Sequence, residues 1–317
     1  MAKNKSDNIN SDLAAEKVIF KMQSDIGAIE RDSSLYEEKN FDHRIDAVDF
    51  IGFPIIGQIE ELLGKTSQPD KLLLLKHRAE KIKSELEGID NSIFQKLQEN
   101  IRKGGYTREK FRNLVKKHID FNLDDNGHQQ EPGYDNLDIF INGLLSPPQA
   151  IPEQTKDLEP EMVFYQKTPA RIIFELVEKC NFTKEDVFYD LGSGLGQVAL
   201  LVNLLAGVTT KGVEFEPAFC DYSRGCATKL NLSNITFINV DARQADYSDG
   251  TIFFMYTPFN GGILQDVLEV LRKESLLKKI TIITYGPCTA EVASQRWLDS
   301  AVLHNDNIYK LRVFTSL

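Results

Sequence analysis

Apolar positions in the first 145 residues recur every three or four places. DLAAEKVIFKMQSDIGAIE (12–30), KLLLLKHRAEKIKSELEGI (71–89), NSIFQKLQENIRK (91–103) and TREKFRNLVKKHIDFNL (107–123) all carry this spacing, which is that of amphipathic helices. Asp90, Asn91 and Thr107 stand where helix N-caps are expected, and Gly104-Gly105 reads as a stop. Two polar stretches interrupt the pattern. DDNGHQQEPG (124–133) is rich in turn formers, and SPPQAIPEQTKDLEP (146–160) carries four prolines that deny helix, so it reads as a linker. Between them YDNLDIFINGLL (134–145) predicts one more short amphipathic helix.

Beyond residue 160 the period changes. VFYDLGSG (187–194) is a strand entering a turn and QVALLVNLLAG (197–207) a helix. TTKGVEFEP (209–217), AFCDYSRGCATKL (218–230) and ITFINVDARQ (235–244) follow as strand, helix and strand. TIFFMYTPF (251–259), GILQDVLEVLRKESL (262–276) and KITIITYGP (279–287) repeat that order, and YKLRVFTSL (309–317) reads as a last, antiparallel strand. Such alternation predicts an α/β unit with a mostly parallel sheet, helices on both faces and a ligand at the carboxyl ends of the strands. The expected organisation is a helical region over 1–145, a Pro-rich linker over 146–160 and an α/β domain over 161–317.

Composition narrows this little: 42% hydrophobic and 26% charged residues are ordinary for a globular chain. No run approaches the roughly 20 apolar residues that span a bilayer, and the first residues lack the apolar centre of a secretory signal. A cytoplasmic protein is expected. Cys180, Cys220, Cys226 and Cys288 form no C-x-x-C pair, which points to reduced, buried thiols rather than a disulfide or zinc site. Charge excludes more. Residues 1–150 hold 21 Lys and Arg against 26 Asp and Glu, leaving 16 against 21 in the remainder. Neither part carries the basic footprint of a nucleic-acid binder. The densest basic stretch, KFRNLVKKH (110–118), alternates with apolar residues as a solvated helix face does.

The chemistry concentrates in Tyr189-DLGSGLGQVALLV-Asn203. Gly192, Gly194 and Gly196 follow a strand that ends in Asp190, and a helix begins at once. Glycines here admit dihedrals closed to other residues and clear space for a bound molecule, while the helix amino end offers unpaired N–H groups to an anion. A dinucleotide fingerprint would place a small residue at 197, which is Gln197. Glu214 ends the next strand, where a carboxylate can accept from ribose hydroxyls. Asp241-Ala242 ends the third, where an acid and an adjacent N–H can meet an adenine edge. A turn with acids at the two following strand ends predicts a nucleoside-type ligand.

The acid-x-G-x-G-x-G pattern resembles the first motif of class I S-adenosylmethionine-dependent methyltransferases, which implies a Rossmann-like seven-stranded sheet. DLGSGLGQV, GVE and YQKT before a helix resemble the disruptor-of-telomeric-silencing branch, the non-SET histone-lysine methyltransferases, over roughly residues 134–290. By that resemblance Tyr165 and Thr168 are lid contacts. Asp190 and the turn Gly192, Ser193, Gly194 and Gly196 hold the amino-acid end of the cofactor, Gln197 caps the site, Glu214 holds ribose, and Asp241 with Ala242 holds adenine. The implied cofactor is S-adenosylmethionine, leaving S-adenosylhomocysteine as product. The sequence departs from the family where a pair of asparagines precedes Phe-Ala-Phe; here stand Met255-Tyr256-Thr257-Pro258-Phe259, which also resembles the Pro-Pro-aromatic segment of amine methyltransferases. Tyr256 and Thr257 are candidates for positioning the acceptor, with Phe259 as an aromatic wall, and the family implies an amine acceptor such as a protein lysine. The acidity of both halves and the missing asparagines leave open a small-molecule acceptor, or a scaffold that binds cofactor without catalysis. An oxidoreductase is disfavoured by Gln197.

Overall fold

The computed structural model describes residues 3–64, 69–104, 108–119, 121, 133–146, 150–300 and 307–317. They divide into two compact units, Met1–Lys96 with Lys116–Asp120, and Leu97–Val115 with Phe121–Leu317. The division thus falls inside the helical region, and residues 133–146 and the Pro-rich stretch belong to the sheet-bearing unit. The expected cap at Thr107, the stop at Gly105 and the break over 124–132 lie outside the described residues.

In the first unit, α1 (Lys3–Arg31) is followed by a tight turn (Ser33–Tyr36), α2 (Phe41–Phe50), a wider turn of helix (Ile51–Gly57), α3 (Gln58–Leu63) and α4 (Pro69–Arg102). Met22, Ile26, Ile51, Ile55, Leu72, Ala79 and Leu86 make its core. One expectation is corrected here, and one stretch that the sequence reading passed over is helical. Residues 71–89 and 91–103 are one helix, because Asp90 turns inward to the buried Arg44, whose Nε donates to Asp90 Oδ1 at 2.7 Å. Helical periodicity alone did not find residues 41–63, because the Gly and Pro54 of IGFPIIG break the pattern, whereas the chain absorbs Pro54 in the wide turn.

The second unit contains α5 (Arg108–His118) up to Val115, then α6 (Asn136–Leu145) and α7 (Ala170–Lys179). The sheet follows: β1 (Val187–Leu191), α8 (Gln197–Ala206), β2 (Thr209–Glu214), α9 (Pro217–Lys229), β3 (Ile235–Asn239), β4 (Ile252–Met255), α10 (Gly261–Ser275), β5 (Thr281–Thr284), α11 (Cys288–Ala293), β6 (Leu298–Ser300) and β7 (Arg312–Ser316). Its seven strands run in the order β3-β2-β1-β4-β5-β7-β6, parallel except where β7 pairs antiparallel with β5 and β6. This is the Rossmann-like class I arrangement expected from the sequence; β6 and α11 are additions to that reading. Alternation along the strands sends Tyr189, Leu191, Phe253, Met255 and Ile282 to one face, where Leu264, Val267 and Leu271 of α10 cover them. On α8 every residue from Gln197 to Leu205 is buried, as befits a helix pressed between a sheet and a neighbouring helix. Strand order reverses between β1 and β4, which pair directly, so the loops after these strands open a crevice at that point.

Candidate nucleoside and acceptor site

The turn after β1 is built on β2. The N–H groups of Gly192 and Ser193 both donate to the Val213 carbonyl, at 2.9 and 3.0 Å. Gly192 has φ +72, and a Cβ there would overlap Pro258 of the loop after β4. Gly194 has φ +52, and a Cβ there would overlap the ring of Tyr165. Two of the glycines are therefore required by protein neighbours as well as by any ligand. Asp190 accepts from the Ala199 N–H of α8, so the acid at the end of β1 caps the helix that the turn introduces. Its other carboxylate oxygen is buried with no partner, as are Ser193 Oγ and both amide atoms of Gln197. Burial, reinforced by the neighbouring Glu214, pushes Asp190 up to about 8.

Glu214 is buried and accepts from Gly194 N at 2.7 Å and Glu216 N at 2.8 Å. Burial raises its pKa while these N–H groups hold it down, and the balance lies upward. Two of its roughly four acceptor positions remain for a diol. Asp241 carries a contact that the sequence reading did not include. Arg243 grips both of its oxygens, with Nε at 2.9 and 3.1 Å and Nη2 at 2.5 Å, and this pair holds Asp241 below the usual carboxylate range.

The stretch that reads as a linker forms a wall of the site. From residue 154 to 168 it lies across the carboxyl ends of the strands as a strap. Glu216, fully buried at the amino end of α9, accepts from Thr155 N, Thr155 Oγ1, Lys156 N and Ala218 N at 2.6–2.9 Å. Burial opposes its charge, but the Thr155 hydroxyl and the three N–H groups prevail and set it at about 2. Next, Glu159 takes a hydrogen bond from Arg243 Nη2 at 2.6 Å. Glu161 accepts from Ile263 N at the start of α10 at 2.9 Å, and Val163 N donates to the Pro258 carbonyl at 3.1 Å. Tyr165 then lies on the glycine turn, 5.5 Å from the Phe219 ring.

Between strap and strand ends is a cleft of about 1100 Å³ including its mouth. Of the residues singled out by sequence, Tyr165, Gly192, Glu214, Asp241, Ala242, Tyr256, Thr257 and Phe259 line it. Asp190 of β1 and Ser193, Gly194 and Gly196 of the turn lie beneath, Gln197 faces a second, smaller cavity behind Tyr165, and Thr168 is buried outside both linings. The sequence reading missed Phe215, Glu216 and Arg243, although each stands within two residues of an acid it did select.

At the acceptor end Thr257 has φ +42, a left-handed conformation costly for a β-branched residue. Its hydroxyl accepts from Cys288 N at 3.2 Å and donates to the Tyr285 carbonyl at 3.4 Å. Tyr256 packs on Tyr285 at 5.0 Å between ring centroids, and Tyr285 on Tyr309 at 5.9 Å. Phe164 stands 80% exposed at the mouth. Cys288 is a buried thiol with its pKa raised by burial, which marks it as packing rather than as a nucleophile. Among the described residues no group of His, Cys, Asp and Glu could hold a metal ion, and no helix is long and apolar enough to cross a membrane.

No curated protein matches the chain. Among solved structures it is similar to an RNA methyltransferase from Salinibacter ruber in complex with S-adenosylhomocysteine (20% identity, 48% of this chain and 92% of that one, TM-score 0.39). It is also similar to precorrin-6y C5,15-methyltransferase from Geobacter metallireducens (16% identity, 49% and 92%, TM-score 0.37). TrmN from Thermus thermophilus is similar at 17% identity over 46% of this chain and 48% of its own, with a TM-score of 0.37. Residues 160–253, which run from the strap through the glycine turn to β4, match the family described as Histone methylation protein DOT1. With the Rossmann-like sheet order described above, the chain resembles the DOT1 histone methylation family over the segment that carries the candidate site.

Proposed function

We propose that the protein is an S-adenosylmethionine-dependent methyltransferase that methylates an amine nitrogen, with a protein lysine as the leading acceptor. The observation that carries the cofactor class is the set of buried polar atoms left without partners around one glycine turn, Asp190 Oδ2, Ser193 Oγ and the Gln197 amide, with the family match over the same residues. These groups fit a zwitterionic amino-acid end: Asp190 suits an ammonium, and Glu214, with acceptor positions to spare, suits the ribose diol. When bound, the sulfonium supplies an activated methyl group, so the protein's task is chiefly alignment.

Met162, Phe164, Tyr256, Phe259 and Tyr309 line the acceptor end of the cleft. An amine entering among these side chains is desolvated, which favours its neutral, nucleophilic form. Tyr256 borders that space, while Thr257, its hydroxyl held by backbone, fixes the loop that carries Tyr256. The lysine assignment rests on the family resemblance. A small-molecule acceptor is the second reading, favoured by the absence of the asparagine pair at 255–259.

Calorimetric titration with S-adenosylmethionine, S-adenosylhomocysteine and NAD tests the cofactor. Micromolar binding of both sulfur nucleosides without NAD is expected, binding of none would mean that the glycine turn is structural and would overturn the cofactor reading, and binding with no methyl transfer to any acceptor would support the scaffold. Labelled methyl transfer to a protein mixture, against transfer to a protein-free extract, separates the two acceptor classes.

A further inference from the structure

Behind Tyr165 lies a second cavity of about 290 Å³, bounded by α6, the strap, the amino end of α8 and the middle of α9. Tyr165 is a wall shared by this cavity and the main cleft. The polar lining is distinctive. Lys167 of the strap reaches in and donates to Asn142 Oδ1 at 3.0 Å. Gln197, 8% exposed at the first position of α8, faces the same space with neither amide atom partnered. Tyr222 adds to the polar surface, and among the described residues that line the cavity there is no carboxylate. Burial pulls the Lys167 ammonium below the usual lysine range, and a nearby anion would favour its charged form.

A zwitterionic ligand needs unlike surroundings for its two charges. The ammonium has Asp190, buried near the end of β1. The described residues that line the main cleft offer the carboxylate no cation: their charged members are Glu214, Glu216 and Asp241. We infer that Lys167, together with the Gln197 amide, binds the carboxylate of the cofactor's amino-acid end. The inference rests on the cofactor reading above, and it adds a residue that the motif resemblance does not supply: position 167 is one of the two variable places in Tyr-x-x-Thr. Lys167 thereby selects the intact amino-acid nucleoside over nucleosides lacking that end.

The experiment compares S-adenosylhomocysteine with 5′-methylthioadenosine, which keeps the nucleoside and sulfur but has no amino acid, by calorimetry on wild type, Lys167→Met and Lys167→Arg. Lys167→Met is expected to weaken S-adenosylhomocysteine about tenfold to a hundredfold and 5′-methylthioadenosine by less than about twofold, as for loss of one charge-assisted hydrogen bond. Lys167→Arg should recover most of the lost affinity. Equal weakening of both ligands would mean that Lys167 only holds the strap through Asn142 and overturns the inference, as does unchanged affinity for both. Failure of wild type to bind S-adenosylhomocysteine at all overturns the cofactor reading itself and is seen before any variant is made.

Discussion

Gly194 donates its backbone N–H to the Glu214 carboxylate across 2.7 Å, so the acid that ends β2 holds the glycine turn that ends β1. The same carboxylate accepts from Glu216 N, and both bonds are buried. Glu214 is thus a structural member of the site as well as a ribose candidate. Glu214→Ala strands two buried N–H groups, at about 1–3 kcal/mol each. A fall in melting temperature of several degrees is expected together with at least tenfold weaker binding of S-adenosylmethionine. Glu214→Gln keeps one acceptor oxygen, so it can serve one of the two N–H groups, which lie on different carboxylate oxygens, and should recover about half of the stability at most and little of the affinity. Melting curves and calorimetry on the two variants check this, and an unchanged affinity in both removes Glu214 from the ribose contact.

Asp190 makes the site sensitive to pH. Its carboxyl is pushed from an ordinary 3.8 to about 8, by burial first and then by Glu214. The folded state therefore holds a proton that the unfolded chain releases near pH 4, and stability from this group falls as pH rises from about 4 to about 8. Asp190→Asn cannot ionise. Its melting temperature should fall less than that of wild type over this window, so that the two curves converge or cross toward the alkaline end. An ammonium placed against Asp190 favours the carboxylate, so binding of the cofactor near pH 7 should expel a proton. Calorimetry in buffers of different ionisation enthalpy measures that proton, and an apparent enthalpy independent of buffer would refute it.

The sequence disclosed the sheet and the turn for a physical reason: strand periodicity, glycine spacing and strand-end acids are local patterns. Gly192, Glu214 and Asp241 could be found that way because each stands at a fixed offset from a hydrophobic run. What escaped depends on where remote segments come to rest. Pro152 and Pro160, on either side of Thr155 and Lys156, deny that segment a helix, yet nothing in them says that these two residues will dock on Glu216, some 60 residues onward. Asp90 reads as a helix cap because its partner, Arg44, is 46 residues away. Arg243 is only two residues from Asp241, but the sequence does not reveal that its side chain turns back to take both carboxylate oxygens.

Glu216 pins the strap and predicts its acid lability. Burial raises its pKa and four donors lower it more, to about 2. Its contribution to stability is present above the unfolded pKa near 4.5 and is lost as pH falls through about 2. Glu216→Ala leaves the Thr155, Lys156 and Ala218 N–H groups without their acceptor. Limited proteolysis should then cut within 150–168 while the sheet stays protected, and melting should drop by several degrees, since hydrogen bonds to a charged group contribute about 1.5–3 kcal/mol. Strap cleavage no faster than in wild type would show that the contacts of Glu161 and Val163 hold the segment without Glu216.

Thr257 tests whether the loop after β4 serves turnover. Its left-handed backbone costs about 1–2 kcal/mol for a residue with a Cβ, and the hydroxyl bonds to Cys288 N and the Tyr285 carbonyl hold it there. Thr257→Val keeps the strain and removes both bonds. The loop should relax, Tyr256 should lose its packing on Tyr285, and kcat should fall about tenfold or more with cofactor Kd nearly unchanged, as when an alignment group alone is lost. Thr257→Gly removes the bonds and the strain together, so it should be more stable than Thr257→Val while remaining equally slow. That pairing separates alignment from stability: if turnover instead follows melting temperature across the two variants, Thr257 is a strained strand terminator, and the acceptor is positioned elsewhere in the cleft.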